Sequence, residues 1–170
     1  MTANPLAWPF RAQMLFGAAC CAALIGYALY VQYHMLMMPC PLCIFQRIVF
    51  AMLGLVGLVA AAHGPRSAGG RRAYGVLAFL VAGLGASIAG RHVWIQNLPA
   101  DQVPLCNSLG LDYMLGVMPV ADVVREVLTG SGECAKVDWA WLGVSMPGWT
   151  FICFVLLGVG ALYAGFRRRA

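Results

Sequence analysis

Four long stretches of the chain lack Asp, Glu, Lys and Arg: 12–46, 48–65, 73–90 and 139–166. A membrane-spanning helix needs about 20 largely apolar residues, and three of these stretches fit that length nearly as they stand. The remaining stretch, 48–65, needs Cys43 to Arg47 added at its front, which places Arg47 just inside the membrane. The pattern therefore predicts an all-α membrane protein, a bundle of four transmembrane helices at about 14–38, 42–62, 73–94 and 147–166.

The connection at about 95–146 is the only sizeable polar segment, and it contains one helical pattern. Pro119 precedes apolar residues at positions i, i+3, i+4, i+7 and i+8, and Gly130 follows them as a stop. A short amphipathic helix is marginal alone in water, so its apolar face needs a surface to cover it. The membrane surface and the outer ends of the spans are both candidates. The apolar positions are Val120, Val123, Val124, Val127 and Leu128.

The composition excludes several classes of protein. Of the 170 residues, 62% are hydrophobic and only 10% are charged, at a mean hydropathy of +0.80. Soluble domains carry about 25% charged residues, so this composition does not suit a surface that faces water. Secreted mini-proteins, nucleic-acid binders and soluble enzymes are therefore excluded. We expect residues 1–170 to form a single integral membrane domain, since no repeat or linker interrupts the pattern.

The placement of charge predicts which side of the membrane each connection faces. Basic residues concentrate at the two ends of the chain and in the 63–73 connection, whereas all six acids lie in the 95–146 connection. Arginine-rich segments stay on the cytoplasmic side. We therefore expect both termini in the cytoplasm, with a short first loop at 39–42 and the long second loop facing outward. The first apolar run is about twice as long as a signal-peptide core, so we expect it to be retained as a span.

The seven cysteines fall into two groups by their depth in the predicted bundle. Cys20, Cys21 and Cys153 lie inside spans, where cysteine behaves as a small apolar residue, and we expect them only to pack. The others lie on the outer side, where an even number predicts disulfide chemistry if that side is oxidising. A zinc site is disfavoured, because Cys106 and Cys134 are far apart in the sequence and do not form a second closely spaced pair. No metal is therefore expected. The outer cysteines are Cys40, Cys43, Cys106 and Cys134.

The Cys40-Pro41-Leu42-Cys43 turn is the sharpest chemical feature of the sequence. With Pro41 at the first helical position, both cysteines lie at the start of the second span, where the helix dipole stabilises a thiolate. Arg47 follows Cys43 by four residues and therefore lies one turn along the same helical face. An arginine at membrane depth is costly and indicates function, although it can instead snorkel to the surface. We interpret the turn and Arg47 as one redox site.

His92 and Gln96 form a polar pair at the outer end of the third span. They are i, i+4 neighbours at the same predicted membrane level as Cys43. A histidine in this setting is either a satisfied structural residue or a hydrogen-bond partner for a carbonyl of a lipid-soluble oxidant. Because a thiolate and an arginine lie nearby, we expect His92 and Gln96 to bind the oxidant together with Arg47.

Together these features resemble the DsbB family, the quinone-dependent oxidases of the bacterial disulfide-forming system. The resemblance covers nearly the whole chain and implies a monomer in the bacterial inner membrane, with its active loops facing the periplasm. Besides the four spans and the cysteine turn, it rests on Gln46-Arg47, Gly90-Arg91-His92-Val93-Trp94, the Cys106 and Cys134 pair, and the 141–149 run before the last span.

The resemblance also implies an electron relay with a role for each outer cysteine. A reduced thioredoxin-fold partner of the periplasm, DsbA, would attack a Cys106–Cys134 disulfide and form a mixed disulfide through Cys106. The freed Cys134 would attack Cys40 and release Cys43 as a thiolate. Cys43 would pass electrons to ubiquinone, with menaquinone as the alternative, held by the polar residues named above. The implied partners are therefore DsbA, the quinone pool and the lipid bilayer.

Two other functions stay open at this stage. A relative of vitamin K epoxide reductase shares the quinone-linked four-helix arrangement, but its active CxxC comes at the start of its last span rather than the second. A four-span assembly or scaffold protein would use the outer cysteines only as structural disulfides. Such a protein needs neither Arg47 below the turn nor a cysteine pair at a helix start. Thiol trapping separates these alternatives, since a relay forms mixed disulfides with a partner whereas a structural disulfide stays oxidised.

Overall fold

The computed structural model describes residues 8–99, 102, 116–129, 132–137 and 139–167. Its long helices are α1 (Phe10–His34), α2 (Pro41–His63) and α3 (Ala68–Gln96), followed after shorter elements by α6 (Met146–Phe166). The shorter elements are α4 (Val120–Thr129), α5 (Gly132–Ala135) and an antiparallel hairpin of β1 (Ala140–Trp141) and β2 (Val144–Ser145).

Each of the four long helices is long and apolar enough to cross a membrane. They have 25, 23, 29 and 21 residues, and the most apolar part of each has a mean hydropathy between 1.8 and 2.2. At most 39% of those parts is buried inside the protein, so many large apolar side chains face outward. Such a surface is stable against lipid rather than water. The predicted all-α four-helix membrane bundle is confirmed, and the chain is a multi-pass membrane protein.

Two of the four long helices, α1 and α3, differ from the predicted spans by more than one residue at an end. α1 begins and ends four residues earlier than the span expected at 14–38, and the chain beyond it turns at Leu36, which has a φ of +53°. α3 begins before the expected residue 73, because the Ser67 hydroxyl caps the helix by accepting a hydrogen bond from the Gly70 N–H. The Gly69–Arg72 segment, expected to lie in a connection, is therefore helical.

The middle of the bundle is packed around Phe154 of α6. Its side chain is fully buried and stacks on Phe50 of α2 with 3.9 Å between the ring centroids. The same ring covers Gly85 of α3, where a Cβ atom would overlap the ring. This contact fixes α6 against α2 and α3, directly below the end of the bundle that carries the cysteine turn.

We use "outer end" for the end of the bundle that carries residues 35–40 and the elements from α4 to β2. The predicted amphipathic helix is present there as α4. Val123 and Val127 are buried in the same apolar cluster as Leu42, whereas Val120 and Leu128 are exposed. Of the two surfaces considered for this helix, the ends of the spans therefore cover the centre of its apolar stripe.

The β1–β2 hairpin was not predicted from the sequence. Its two turn residues, Leu142 and Gly143, have φ values of +53° and +77°, as in the type I′ turns that suit two-residue hairpins. The Trp149 indole N–H donates to the Trp141 carbonyl over 3.1 Å and ties the hairpin to the first turn of α6. The hairpin thereby leads the chain from the outer connection back into the bundle.

Candidate redox site at the outer end

Cys40 and Cys43 lie at the start of α2, on either side of the point where the chain becomes helical. Cys40 is the N-cap residue and has an extended backbone, and Pro41 is the first helical residue. Both cysteines are free thiols, and the Cys40 thiol donates a hydrogen bond to Cys43 Sγ across 3.2 Å. Cys40 is buried and Cys43 is half-buried. A small side-chain movement therefore suffices to join the two sulfurs in a disulfide.

His92 of α3 connects the cysteine turn to a buried amide. Its Nε2 lies 3.7 Å from Cys40 Sγ, and its Nδ1 lies 3.3 Å from the Gln46 side-chain nitrogen. His92 and Gln46 are only 3% and 4% exposed. Because the Gln46 amide donates to Nδ1, neutral His92 carries its proton on Nε2, directed towards Cys40. Gln46 therefore orients the imidazole.

Cys134 of α5 reaches the same site from the outer connection. It is 1% exposed and belongs to the apolar cluster that includes Cys40. It lies close enough to His92 and to Cys43 to interact with both electrostatically. The described residues thus bring together three of the four outer cysteines. Cys106 lies outside the described residues, and its pairing with Cys134 stays a prediction.

Arg47 is held inside the bundle by α1. Its guanidinium donates to the side-chain oxygen of Gln32 and, over 3.1 Å, to the Ala28 carbonyl. It also lies close enough to Cys43 to interact electrostatically. A side chain that snorkels would direct its charge to the membrane surface rather than to acceptors on a neighbouring helix. These contacts favour a functional interpretation of Arg47 over snorkelling.

A cavity of about 680 Å³ adjoins the two cysteines. Cys43, Arg47 and His92 lie in its wall, and α1 and α6 supply mainly apolar side chains to the rest. Small-molecule sites in proteins have about 300–1,000 Å³ and combine apolar walls with a few polar groups. A ring with apolar faces and carbonyl oxygens on its edge, such as a quinone, would suit this wall, because Arg47 can donate a hydrogen bond to one of those oxygens.

Gln96 lies in the wall of the same cavity, but its side chain also contacts the outer connection. Its amide nitrogen donates to the Lys136 carbonyl over 3.5 Å. The Ser145 hydroxyl donates to its amide oxygen over 2.7 Å. Binding of the oxidant by Gln96 stays a prediction, and its described contacts give it a second role in holding the loop.

Cys40, Cys43 and His92 also form the one described group whose donor atoms could surround a metal ion, with all three atoms within 4.8 Å of one another. Two sulfurs on one tetrahedral zinc, each bonded at about 2.3 Å, lie about 3.8 Å apart. The two sulfurs here are 3.2 Å apart, which suits a hydrogen-bonded dithiol better. The geometry favours disulfide chemistry, and the expectation that no metal binds stays a prediction.

Two residues of this site were missed as site residues by the sequence analysis. Gln32 holds Arg47, and Gln46 orients His92. Both are uncharged amides inside membrane-length apolar stretches. Because a polar group in such a stretch needs a hydrogen-bond partner, its presence there was a usable signal.

Comparisons with known proteins point to one family. A family model described as "Disulfide bond formation protein DsbB" matches residues 10–164. A protein of Xanthomonas campestris pv. campestris named "Disulfide bond formation protein B" is 54% identical over 166 residues, which cover 98% of this chain and 96% of that protein. A protein of the same name from Xanthomonas euvesicatoria pv. vesicatoria is 52% identical over the same coverage. One from Xylella fastidiosa is 45% identical over 164 residues, or 96% of this chain and 94% of the relative.

Proposed function

Because the chain belongs to the DsbB family of disulfide bond formation proteins, we propose that it re-oxidises a periplasmic thioredoxin-fold dithiol protein of the DsbA type and passes the electrons to membrane quinone. The observation that carries this proposal is the position of Cys40, Cys43 and Cys134 around His92, beside the cavity. A structural role for these cysteines would require neither the cavity nor Arg47 in its wall.

Electrons would enter through the outer connection. A thiolate of the reduced partner attacks Cys106 of a Cys106–Cys134 disulfide, forms a mixed disulfide with Cys106 and releases Cys134 as a thiolate. Cys134 then attacks Cys40 of a Cys40–Cys43 disulfide, so that a Cys40–Cys134 bond forms and Cys43 leaves as a thiolate. The partner's second thiol closes its own disulfide and frees Cys106, which attacks Cys134 and releases Cys40.

The surroundings of Cys40 and Cys43 support this order. Cys43 is the better leaving group, because the α2 N-terminus and the Arg47 charge both stabilise its thiolate. His92 Nε2–H lies beside Cys40 Sγ and can donate a hydrogen bond to the thiolate that forms when Cys40 is released. Each step exchanges one sulfur–sulfur bond for another, so that only the last transfer requires an outside acceptor.

Ubiquinone is the acceptor that we propose, with menaquinone as the alternative. When bound, the quinone supplies an acceptor for two electrons and two protons, and this restores the Cys40–Cys43 disulfide. Arg47 would hydrogen-bond one of its carbonyl oxygens, His92 would lie in the wall beside it, and the apolar side chains of α1 and α6 would cover its ring. Gln32 and Gln46 would keep the two polar side chains in place.

We further propose that the outer end faces the periplasm across a bacterial inner membrane, with both termini in the cytoplasm. Arginines mark the opposite end of the bundle, where Arg11 donates to the Ala61 carbonyl and Arg71 donates to the Arg66 carbonyl. Positive charge of this kind is retained in the cytoplasm. The redox site would then face the compartment in which disulfides form.

The proposal is tested by following quinone absorbance with the detergent-purified chain, a soluble ubiquinone analogue and a reduced DsbA-type protein. We expect quinone loss that depends on the partner and that Cys43→Ser abolishes. Cys20→Ser changes a cysteine of α1 outside the site and serves as the matched control, with turnover close to that of the unaltered chain. Full quinone turnover by Cys43→Ser would refute the role of Cys43. No turnover by the unaltered chain, with its outer cysteines locked in stable disulfides, would refute the relay.

A further inference from the structure

Arg91 of α3 caps the C-terminal end of α4. Its Nε donates to the Leu128 carbonyl over 3.2 Å, and its Nη2 donates to the Thr129 carbonyl over 3.1 Å. Both carbonyls belong to the last turn of α4, where backbone acceptors have no partner inside the helix. A cation at this position also matches the negative end of the helix dipole. Arg91 therefore anchors α4 on α3.

The Arg91 side chain is itself supported by an aromatic ring. Its guanidinium carbon lies 4.2 Å from the ring centroid of Trp94, one turn along α3. A guanidinium at this distance from an indole is attracted by the ring, and the contact restricts the side chain to a few conformations. The two hydrogen bonds to α4 are therefore made by a side chain that is already oriented.

The outer end of α3 holds the same segment at a second point. Gln96 donates to the Lys136 carbonyl and accepts a hydrogen bond from Ser145. Cys134 lies between the two points of attachment, five residues after Thr129 and two before Lys136. It is held there in the buried position from which it interacts electrostatically with His92.

We propose that Arg91 and Gln96 act as a clamp that sets how Cys134 divides between its two disulfide partners, Cys40 and Cys106. The clamp rests on the proposed relay, in which Cys134 must bond to each of these cysteines in turn. With the clamp closed, Cys134 stays in the apolar cluster that includes Cys40, and the Cys40–Cys134 bond is favoured. With the clamp open, Cys134 can leave this position and bond to Cys106. Arg91 is a positioning residue in this scheme, because it acts through α4.

The exchange becomes measurable as an equilibrium when Cys43 is replaced by serine. The Cys40 thiolate then attacks Cys134 of the Cys106–Cys134 disulfide, a Cys40–Cys134 bond forms, and Cys106 leaves and takes up the proton that Cys40 lost. No oxidant or reductant is consumed, so the ratio of the two disulfides reports only the relative stability of the Cys40–Cys134 and Cys106–Cys134 pairings. The ratio is read by acid quenching, alkylation of free thiols and mass spectrometry of the linked peptides.

Arg91→Ala in this Cys43→Ser chain should shift the ratio about five- to tenfold towards Cys106–Cys134, because it removes two hydrogen bonds on the partly exposed outer end. Arg91→Lys keeps the charge and one donor nitrogen, so we expect a ratio between that of Arg91→Ala and that of the chain with Arg91. Arg125→Ala is the matched control, since it removes an exposed arginine from α4 itself, and it should leave the ratio unchanged. Trypsin should also cut faster after Lys136 in Arg91→Ala, while circular dichroism shows the four spans intact.

The outcomes separate the clamp from the relay. A Cys40–Cys134 disulfide that forms at the same ratio with and without Arg91 overturns the clamp and leaves the relay standing. An equal shift in Arg125→Ala also overturns the clamp, because general loss of charge would then explain the effect. If no Cys40–Cys134 disulfide forms even with Arg91 present, the relay fails and the clamp fails with it.

Discussion

The hydrogen bond from Arg47 to Gln32 gives a direct test of how the cavity binds quinone. Gln32→Leu keeps a side chain of similar size on α1 but removes the acceptor for one guanidinium nitrogen. The Ala28 carbonyl then remains as the described acceptor, and the side chain gains freedom to turn towards the membrane surface. Because Arg47 would orient the ring before electrons move, we expect a higher KM for quinone with a smaller change in kcat.

The size of this effect follows from the kind of bond that is lost. Hydrogen bonds to charged groups contribute about 1.5–3 kcal/mol in proteins, whereas side-chain bonds between membrane helices average about 0.6 kcal/mol and reach about 1.7 kcal/mol. Gln32 is half-buried beside the cavity, so we take a value of about 1–1.4 kcal/mol. Since 1.4 kcal/mol is about a tenfold change in affinity, the KM for quinone should rise about five- to tenfold.

The assay measures initial rates of quinone loss at varied quinone and saturating reduced partner protein. Gln13→Leu is the matched control, because it makes the same substitution on the same helix nineteen residues earlier, about 28 Å along the axis. Its KM should equal that of the unaltered chain, and the KM for the partner protein should be unchanged in both variants. A KM for quinone within twofold of normal in Gln32→Leu, or an equal rise in Gln13→Leu, contradicts the argument.

Two further predictions concern the helices that frame the site. Gly85→Ala should destabilise the bundle by about 2 kcal/mol, because its Cβ would overlap the Phe154 ring, whereas Gly83→Ala on the same helix meets nothing within 4 Å and should be neutral or slightly stabilising. Thermal unfolding in detergent measures the pair, and equal midpoints would show that the α3–α6 contact is looser than described. Gln46→Leu removes the donor that orients His92, so the exchange between Cys134 and Cys40 should slow several-fold in rapid-quench experiments. An unchanged exchange rate would mean that His92 keeps its orientation without Gln46.

The four-helix architecture could be predicted from the sequence because lipid leaves the backbone few choices. A segment inside a membrane must satisfy its own N–H and C=O groups, so an apolar run of sufficient length becomes a helix. The position of each helix end depends on a small difference in free energy between helical and non-helical backbone. Residues 35–38 are as apolar as the helix before them, yet the chain leaves α1 there and turns beside the cavity. Hydropathy therefore does not distinguish the helical residues of α1 from the non-helical residues that follow them.

The chemistry within one helix could also be predicted, whereas contacts between helices could not. Cys43 and Arg47 share a face because of their spacing alone. The partners of Gln46 and Arg47, by contrast, lie on α3 and α1. Which faces of these helices meet is decided by close contacts such as that between Gly85 and Phe154, and a single sequence does not reveal them. The hairpin at 140–145 was missed for another reason, because its two strands are too short to show an alternating pattern.

The two halves of the redox site are held with unequal strength, and this difference fits their proposed tasks. Cys40 and Cys43 belong to a span whose removal from its neighbours would disrupt the whole bundle. Cys134 follows α4, in which Val123 and Val127 are the described buried side chains, each contributing about 1.5–3 kcal/mol. The hydrogen bonds to Arg91 and Gln96 add about 1 kcal/mol each. A segment held by a few such contacts opens far more often than the bundle unfolds, so Cys134 can leave Cys40 while the cavity and the Cys40–Cys43 pair stay intact.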